Sequence, residues 1–313
     1  MRSPLPSVLV SLVAAAGLMA AYAQSPTPSS ADTARQLAYE AAMGVRAIGK
    51  RWDRDAFAET IRLYTAVHRE VPWPGVLAPE THAYGEDPRQ TLSLFRPEQA
   101  FSEPGPVFLF LHGNGLGDSA PTAPGSDGLI YSHLGKLGAS FGGLGVIASY
   151  RDAESADVVS GIEDLRQLLS WLTRNVARFG GDPDTIVLLA AGEGATHAAR
   201  YLFARDGQTA AGPGLAAAVL ISGLFGDQAP GLTDAVDAYD GPRVPLALWS
   251  GEHDPAPTEI GVAELYAQLC RKYRDCPAFA QLQGHNPISH VLTLGTADTG
   301  VMNALIGFYH TVR

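Results

Sequence analysis

Residues 185–200 read TIVLLAAGEGATHAAR, an apolar run that breaks at Gly192-Glu193-Gly194 and resumes as a helix-forming segment. A buried strand that turns this sharply into a helix is the shape of a nucleophile elbow, whose small neighbours let strand and helix approach without collision. The apex here is Gly192, which has no side chain to carry a nucleophile. Groups capable of proton transfer gather in two later stretches, Gly251-Glu252-His253-Asp254 and Gly284-His285-Asn286-Pro287, the second followed by His290. A serine hydroxyl is a poor nucleophile until an imidazole takes its proton and a carboxylate orients that imidazole. The acid and the imidazoles are therefore present in a chain whose elbow supplies no hydroxyl. A metal site built from His253, Asp254, His285 and His290 is conceivable, because their loops meet at one sheet edge, but the spacing matches no ligand set. No metal and no cofactor is expected.

The elements that must position these groups follow from hydrophobic periodicity. Residues 33–50 and 55–69 carry Ala, Leu and charged residues at helical spacing, and Val71-Pro72-Trp73-Pro74-Gly75 stops the second helix. Strand-like runs at 76–84 and 91–95 flank the turn composition Gly85-Glu86-Asp87-Pro88. Residues 106–111 form a continuous apolar run ending in His112-Gly113-Asn114-Gly115, as expected of a strand covered on both faces. Further strands are expected at 144–150, 216–222, 245–250 and 278–282. Helices are expected near 131–140, at 158–176, at 259–270 and near 299–311. Strands alternating with helices at this spacing give a mostly parallel sheet with helices on both faces, plus two extra N-terminal helices. There is no internal repeat and no sign of a second domain.

Composition narrows the function classes. The 313 residues are 46% hydrophobic and 17% charged, enough to bury a large core, and the net charge is -10. None of the 22 basic residues forms a run, which argues against nucleic acid as a partner. Residues 1–23 read as a secretion signal: Arg2, an apolar stretch at 8–20 and the small-x-small site Ala21-Tyr22-Ala23. That stretch is short for a span, so no integral membrane segment is expected in the mature chain. Residues 24–32 are rich in Pro, Ser and Thr and read as a flexible leader to one domain at 33–313. Export places the chain outside the cytoplasm, secreted or periplasmic, where disulfides persist. Cys270 and Cys276 either close a small loop there or remain two partly buried thiols.

Several short motifs now stand in order: Tyr84-Gly85 with Asp87-Pro88-Arg89, His112-Gly113, Tyr150-Arg151, Gly161-Ile162-Glu163-Asp164, Phe179-Gly180-Gly181-Asp182-Pro183 and Gly284-His285-Asn286. Together they resemble the α/β-hydrolase fold over residues 39–312, in particular carboxylesterases of the hormone-sensitive-lipase and feruloyl-esterase-like kind. The resemblance implies Ser, Asp and His in that chain order, with the serine at the centre of G-x-S-x-G. Aligned without a gap from Gly180-Gly181-Asp182-Pro183, the serine position falls on Gly192. Asp254 takes the acid position, and Pro287 stands where the family carries its base histidine. Backbone N–H groups of Gly113, Asn114 and Glu193 take the oxyanion-donor positions. His112 is expected to orient that loop, and Ser119 and Ser126 to serve its turns.

Two ways of rescuing the chemistry remain open on the residues. A one-residue slip would put Glu193 at the apex, like the carboxylate nucleophiles of related haloalkane and epoxide hydrolases, at the cost of the gapless register. His285 or His290 could instead swing toward Asp254, although each also reads as a loop or helix-surface histidine. The resemblance, with two of three catalytic positions changed, implies an exported, catalytically impaired pseudoenzyme whose cleft takes a small-molecule ligand or ester-like substrate. The alternative is an active carboxylic ester hydrolase with a rearranged site around Asp254 and His285.

Overall fold

The computed structural model describes residues 30–99, 102–113, 123, 125–151, 158–204 and 214–312. The signal read at 1–23, most of the leader at 24–32, Asn114 and Ser119 lie outside the described residues. Two helices packed on each other open the fold, α1 (Ser30–Ile48) and α2 (Arg54–Arg69). Helix α1 starts at Ser30, inside the stretch whose composition suggests a leader. Asp53 caps α2, its carboxylate accepting from the Ala56 N–H at 2.8 Å, which is why the two helices break there.

Eight strands follow: β1 (Glu80–Ala83), β2 (Thr91–Phe95), β3 (Gly105–Leu111), β4 (Leu144–Ala148), β5 (Gly181–Ala191), β6 (Ala217–Ile221), β7 (Leu246–Gly251) and β8 (Ala278–Leu282). They form one sheet in the order β1-β2-β4-β3-β5-β6-β7-β8. The β1 and β2 pairings are antiparallel and the remaining ones parallel. The first strand is shorter than the apolar pattern at 76–84 suggests, because Val76 makes only an isolated bridge to Pro97 before the backbone enters the ladder at Glu80.

Helices α3 (Ser132–Ser140), α4 (Val158–Asn175), α5 (Glu193–Leu202), α6 (Leu232–Ala238), α7 (Ala256–Tyr273), α8 (Ser289–Leu292) and α9 (Gly300–Val312) cover the sheet. Two buried clusters lie on its opposite faces. One packs α4, α5, α6 and α7 through residues such as Leu168, Leu172, Tyr201 and Leu265; the other packs α1, α2, α3, α8 and α9 through Val45, Tyr64, Leu134, Val291 and Phe308. Leu165, Leu168, Leu169 and Leu172 recur at three- and four-residue spacing on α4 and are all buried, the single face that periodicity requires. Helix α7 runs a turn further at both ends than its apolar pattern indicates, with Pro255 at its N-cap and Cys270 bonded to Cys276 in a disulfide just beyond its end. No described helix is long and apolar enough to cross a membrane.

The motif residues near the chain's front half meet in one buried network. Asp164 of α4 is 1% exposed and takes Arg151 through Nε, Nη2 and backbone N–H at 2.5–2.8 Å, and Gln90 Nε2 at 2.6 Å. Tyr84 donates to the Ser149 carbonyl and Tyr150 to the His112 carbonyl. These bonds fix the ends of β2, β3 and β4 against α4, so the residues that punctuate the sequence at 84–90, 150–151 and 164 are braces for the site rather than reactants.

Candidate active site

The elbow is built. Strand β5 runs beside β3 and β6 in parallel register to Ala191, which pairs with Ile221, and α5 begins at Glu193. Gly192 between them has φ 56 and ψ -126, and its N–H donates to the Ile221 carbonyl at 2.9 Å. A positive φ there costs an L-residue about 1–2 kcal/mol and glycine almost nothing. Space does not demand the glycine: among the described residues a Cβ on Gly192 has nothing outside its chain neighbours nearer than Gly113 Cα, at 3.8 Å. Gly194 is different, since a Cβ there would lie 2.7 Å from the carbonyl oxygens of Leu111 and His112. The packing of α5 on β3 thus depends on Gly194, while the apex has room for a side chain that the sequence does not provide.

Gly113 and Glu193, expected from the sequence to offer oxyanion donors, lie against this turn. A Cβ on Gly113 would sit 3.1 Å from the Glu193 backbone nitrogen and 3.6 Å from Gly192 Cα, so the end of β3 and the start of α5 are in contact. His112 is fully buried, its Nδ1 facing the Gly113 carbonyl at 3.1 Å and its ring stacked on Tyr131 at 5.0 Å. Burial holds its pKa down to about 4, so it is a neutral support for the loop. Ser126, also buried, donates to the Ala123 carbonyl and has a turn role.

At the end of β7 a tight turn places Asp254, with no exposed surface, so that its Oδ2 accepts from the Gly251 N–H at 2.9 Å. Its Oδ1 is buried and has no hydrogen-bond partner among the described residues. Burial is the largest of the effects that raise the pKa of this carboxyl to about 7, partly offset by the Ser222 hydroxyl beside it. In a serine-histidine-aspartate triad this carboxylate would receive the imidazole Nδ1–H. Among the described residues no imidazole hydrogen-bonds to it.

The loop after β8 explains why. His253 N–H donates to the His285 carbonyl at 2.8 Å, and the Gly284 N–H donates to Glu252 Oε2 at 2.7 Å, stitching the two loops together. The His285 ring is turned the other way, with Nδ1 3.2 Å from Ser289 Oγ, and it gives Asp254 no bond. Pro287 follows on a partly exposed turn. Asn286 is buried, donates to Thr60 of α2 at 2.9 Å and accepts from the Ser289 N–H, so an N-terminal helix anchors the loop. Neither His285 nor His290 is the surface histidine that loop composition suggests: both are buried, because α2 and α3 cover this loop.

His290 has a partner that sequence reasoning missed. Its Nε2 lies 2.9 Å from the hydroxyl of Ser222, the residue just past β6, and both side chains are buried. Ser222 has φ 50, an unusual conformation for a non-glycine residue that turns the end of β6 toward α8. Burial, reinforced by neighbouring His285, holds His290 well below the ordinary histidine range. Nothing in Leu220-Ile221-Ser222-Gly223 marks this serine as different from a turn residue; only the 68-residue sequence separation closed by the fold makes it one. Among the described residues there is no cluster of three or more groups suited to a metal.

Comparisons with known proteins place this geometry. The carboxylesterase family model matches residues 81–225. Human neuroligin-2 is 33% identical over 115 residues, covering 34% of this chain and 13% of its own length. Esterase P of Drosophila melanogaster is 28% identical over 137 residues, 43% of this chain and 25% of that protein. The matched part therefore spans a quarter or less of these relatives. Among solved structures, esterase B from Lactobacillus rhamnosis superposes with a TM-score of 0.60 at 17% identity, covering 88% of this chain and 95% of that one. A bacterial heroin esterase superposes with 0.61 at 18% identity, covering 88% and 98%. With its eight-stranded sheet and the strand-turn-helix after β5, the chain has the α/β-hydrolase fold, and its residues 81–225 are similar to the carboxylesterase family.

Proposed function

We propose that this protein is an exported α/β-hydrolase-fold protein that has lost serine-hydrolase chemistry and uses the region around the elbow to bind a small ester-like ligand. The observation that carries the reading is Gly192 at the apex, in the backbone geometry of a nucleophile position but with no nucleophile. The bare Oδ1 of Asp254 supports it, as does Pro287 at the base position, because proline cannot move a proton. Backbone donors at Gly113 and Glu193 favour an oxygen-bearing ligand, since the N–H groups of a helix start attract partial negative charge. Residues 1–23 support export.

The test uses purified full-length protein with short p-nitrophenyl esters and a fluorophosphonate probe. No turnover and no labelling is expected; serine labelling with turnover would overturn the reading. The double change Gly192→Ser and Pro287→His should then install measurable hydrolysis, because the apex has room for the side chain.

One observation favours a second reading, an active hydrolase with a rearranged site. Ser222 stands within hydrogen-bonding distance of His290 and beside Asp254. The hydroxyl, however, lies between acid and imidazole, so the carboxylate does not orient the ring as a triad requires. A fluorophosphonate adduct mapped to Ser222 and abolished by Ser222→Ala would establish this reading in place of the first.

A further inference from the structure

Away from the elbow, helix α9 is poorly seated on the sheet. Its sequence, GVMNALIGFYHTV, is rich in apolar residues, yet only Val301 and Phe308 are buried. Between it, the exposed part of the sheet face and α3 lies a crevice of about 410 Å³. Sheet side chains Phe108, Val187 and Leu189 form its floor, and Leu137, Met302 and Leu305 form its walls. None of the described lining residues is Asp, Glu, Lys or Arg, in a chain that carries 54 such residues (22 basic and 32 acidic). Phe141, 53% exposed, and Ile306, 37% exposed, are among the few large apolar side chains left exposed among the described residues, and both stand on its rim.

The dimensions limit what fits. The crevice runs along β3 from Pro106 to Phe110, roughly 13 Å at strand rise, and along α9 from Met302 to His310, roughly 12 Å at helical rise. A hydrocarbon chain fits, and at roughly 1.3 Å of advance per bond the slot holds about ten carbons. An uncharged lining tolerates methylenes and rejects an ionised group, which must stay at the rim.

We infer that the crevice beneath α9 binds one unbranched alkyl chain of about ten carbons, its polar head remaining in solvent at the rim. The site is separate from the elbow: Leu189 on its floor lies three residues, roughly 10 Å of strand, before Gly192. A ligand here would seal α9 against the sheet.

The experiment titrates the full-length protein with n-alkyl carboxylates from six to fourteen carbons by calorimetry. It then photolabels with a diazirine-bearing decanoate and maps the labelled peptides. Affinity should rise about fourfold per added methylene, as burial of each predicts, and level off near ten carbons. Labels should fall within 134–142 and 302–310. Met302→Trp and, separately, Leu305→Trp should each weaken decanoate at least tenfold with the melting temperature of the unliganded protein preserved. Affinity that keeps rising past fourteen carbons, labels at residues around Gly113 and Gly192, or tight binding to both variants would each overturn the inference. Labels at the elbow would at the same time support the binding role proposed there.

Discussion

Asp254→Asn should stabilise this protein above neutral pH. The wild-type carboxyl titrates near 7 in the folded chain against 3.8 for the free side chain, chiefly because it is buried. A folded pKa raised in this way means that the native state holds its proton more tightly than the unfolded chain does. The stabilising contribution is therefore complete below pH 3.8 and is lost as pH rises through about 7. Roughly three units at about 1.4 kcal/mol each set an upper limit near 4 kcal/mol for what the ionised group costs at pH 8. Asparagine removes the charge and keeps an oxygen for the Gly251 N–H, but buries an amide where Oδ1 has no partner, a cost of about 1–3 kcal/mol. The net expectation at pH 8 is a gain of about 1–3 kcal/mol, or a melting temperature higher by about 2–6 °C. Paired thermal melts of parent and variant from pH 4.5 to 8.5 read this directly, since the difference cancels every other titration. The gap should shrink as pH falls and vanish or reverse near pH 5. A gap that does not change with pH, or a variant less stable than the parent at pH 8, would refute the reasoning that Asp254 is a buried acid without its imidazole.

Other outcomes follow from the same geometry. His68, His112 and His197 are buried with pKa values held down to about 4, so the stability they confer is present above 6.5 and lost as pH falls toward 4; melts of the parent should show a steep loss across that interval. Gly192→Ala should cost only the positive-φ penalty of about 1–2 kcal/mol, whereas Gly194→Ala drives a methyl into the carbonyls of Leu111 and His112 and should cost more than 3 kcal/mol or prevent folding; urea midpoints separate the two. Replacing Cys270 and Cys276 by serine opens a loop with a sequence separation of six and should lower stability by about 2 kcal/mol, to be compared with the parent under reducing conditions.

Much of this protein is determined locally. The apolar runs of β3, β4, β5, β6 and β7 and the single apolar face of α4 are period signals, and period is a property of neighbouring residues, so the parallel sheet and its helices can be read from the chain. The strand-turn-helix is local too, because strand, turn and helix occupy one 16-residue stretch with Gly192 at the turn. Spacing from Gly180-Gly181-Asp182-Pro183 leads to Gly192, and the later motifs to Asp254 and Pro287, as the positions a triad would take.

What the chain could not disclose are relations across long separations. Loop composition makes His285 and His290 look like surface residues, but 226 positions earlier Thr60 reaches Asn286 and pins their loop beneath α2, so both are buried. Ser222 reads as a turn serine until β6 carries it to His290. Asp254 reads as a ready acid, and only tertiary packing shows Oδ1 buried with no hydrogen-bond partner among the described residues. Hydrogen-bond partners and desolvation depend on which surfaces the fold closes together. The sequence by itself therefore determined the scaffold and the glycine at the turn after β5, and the tertiary structure alone decided the environment of the groups around it.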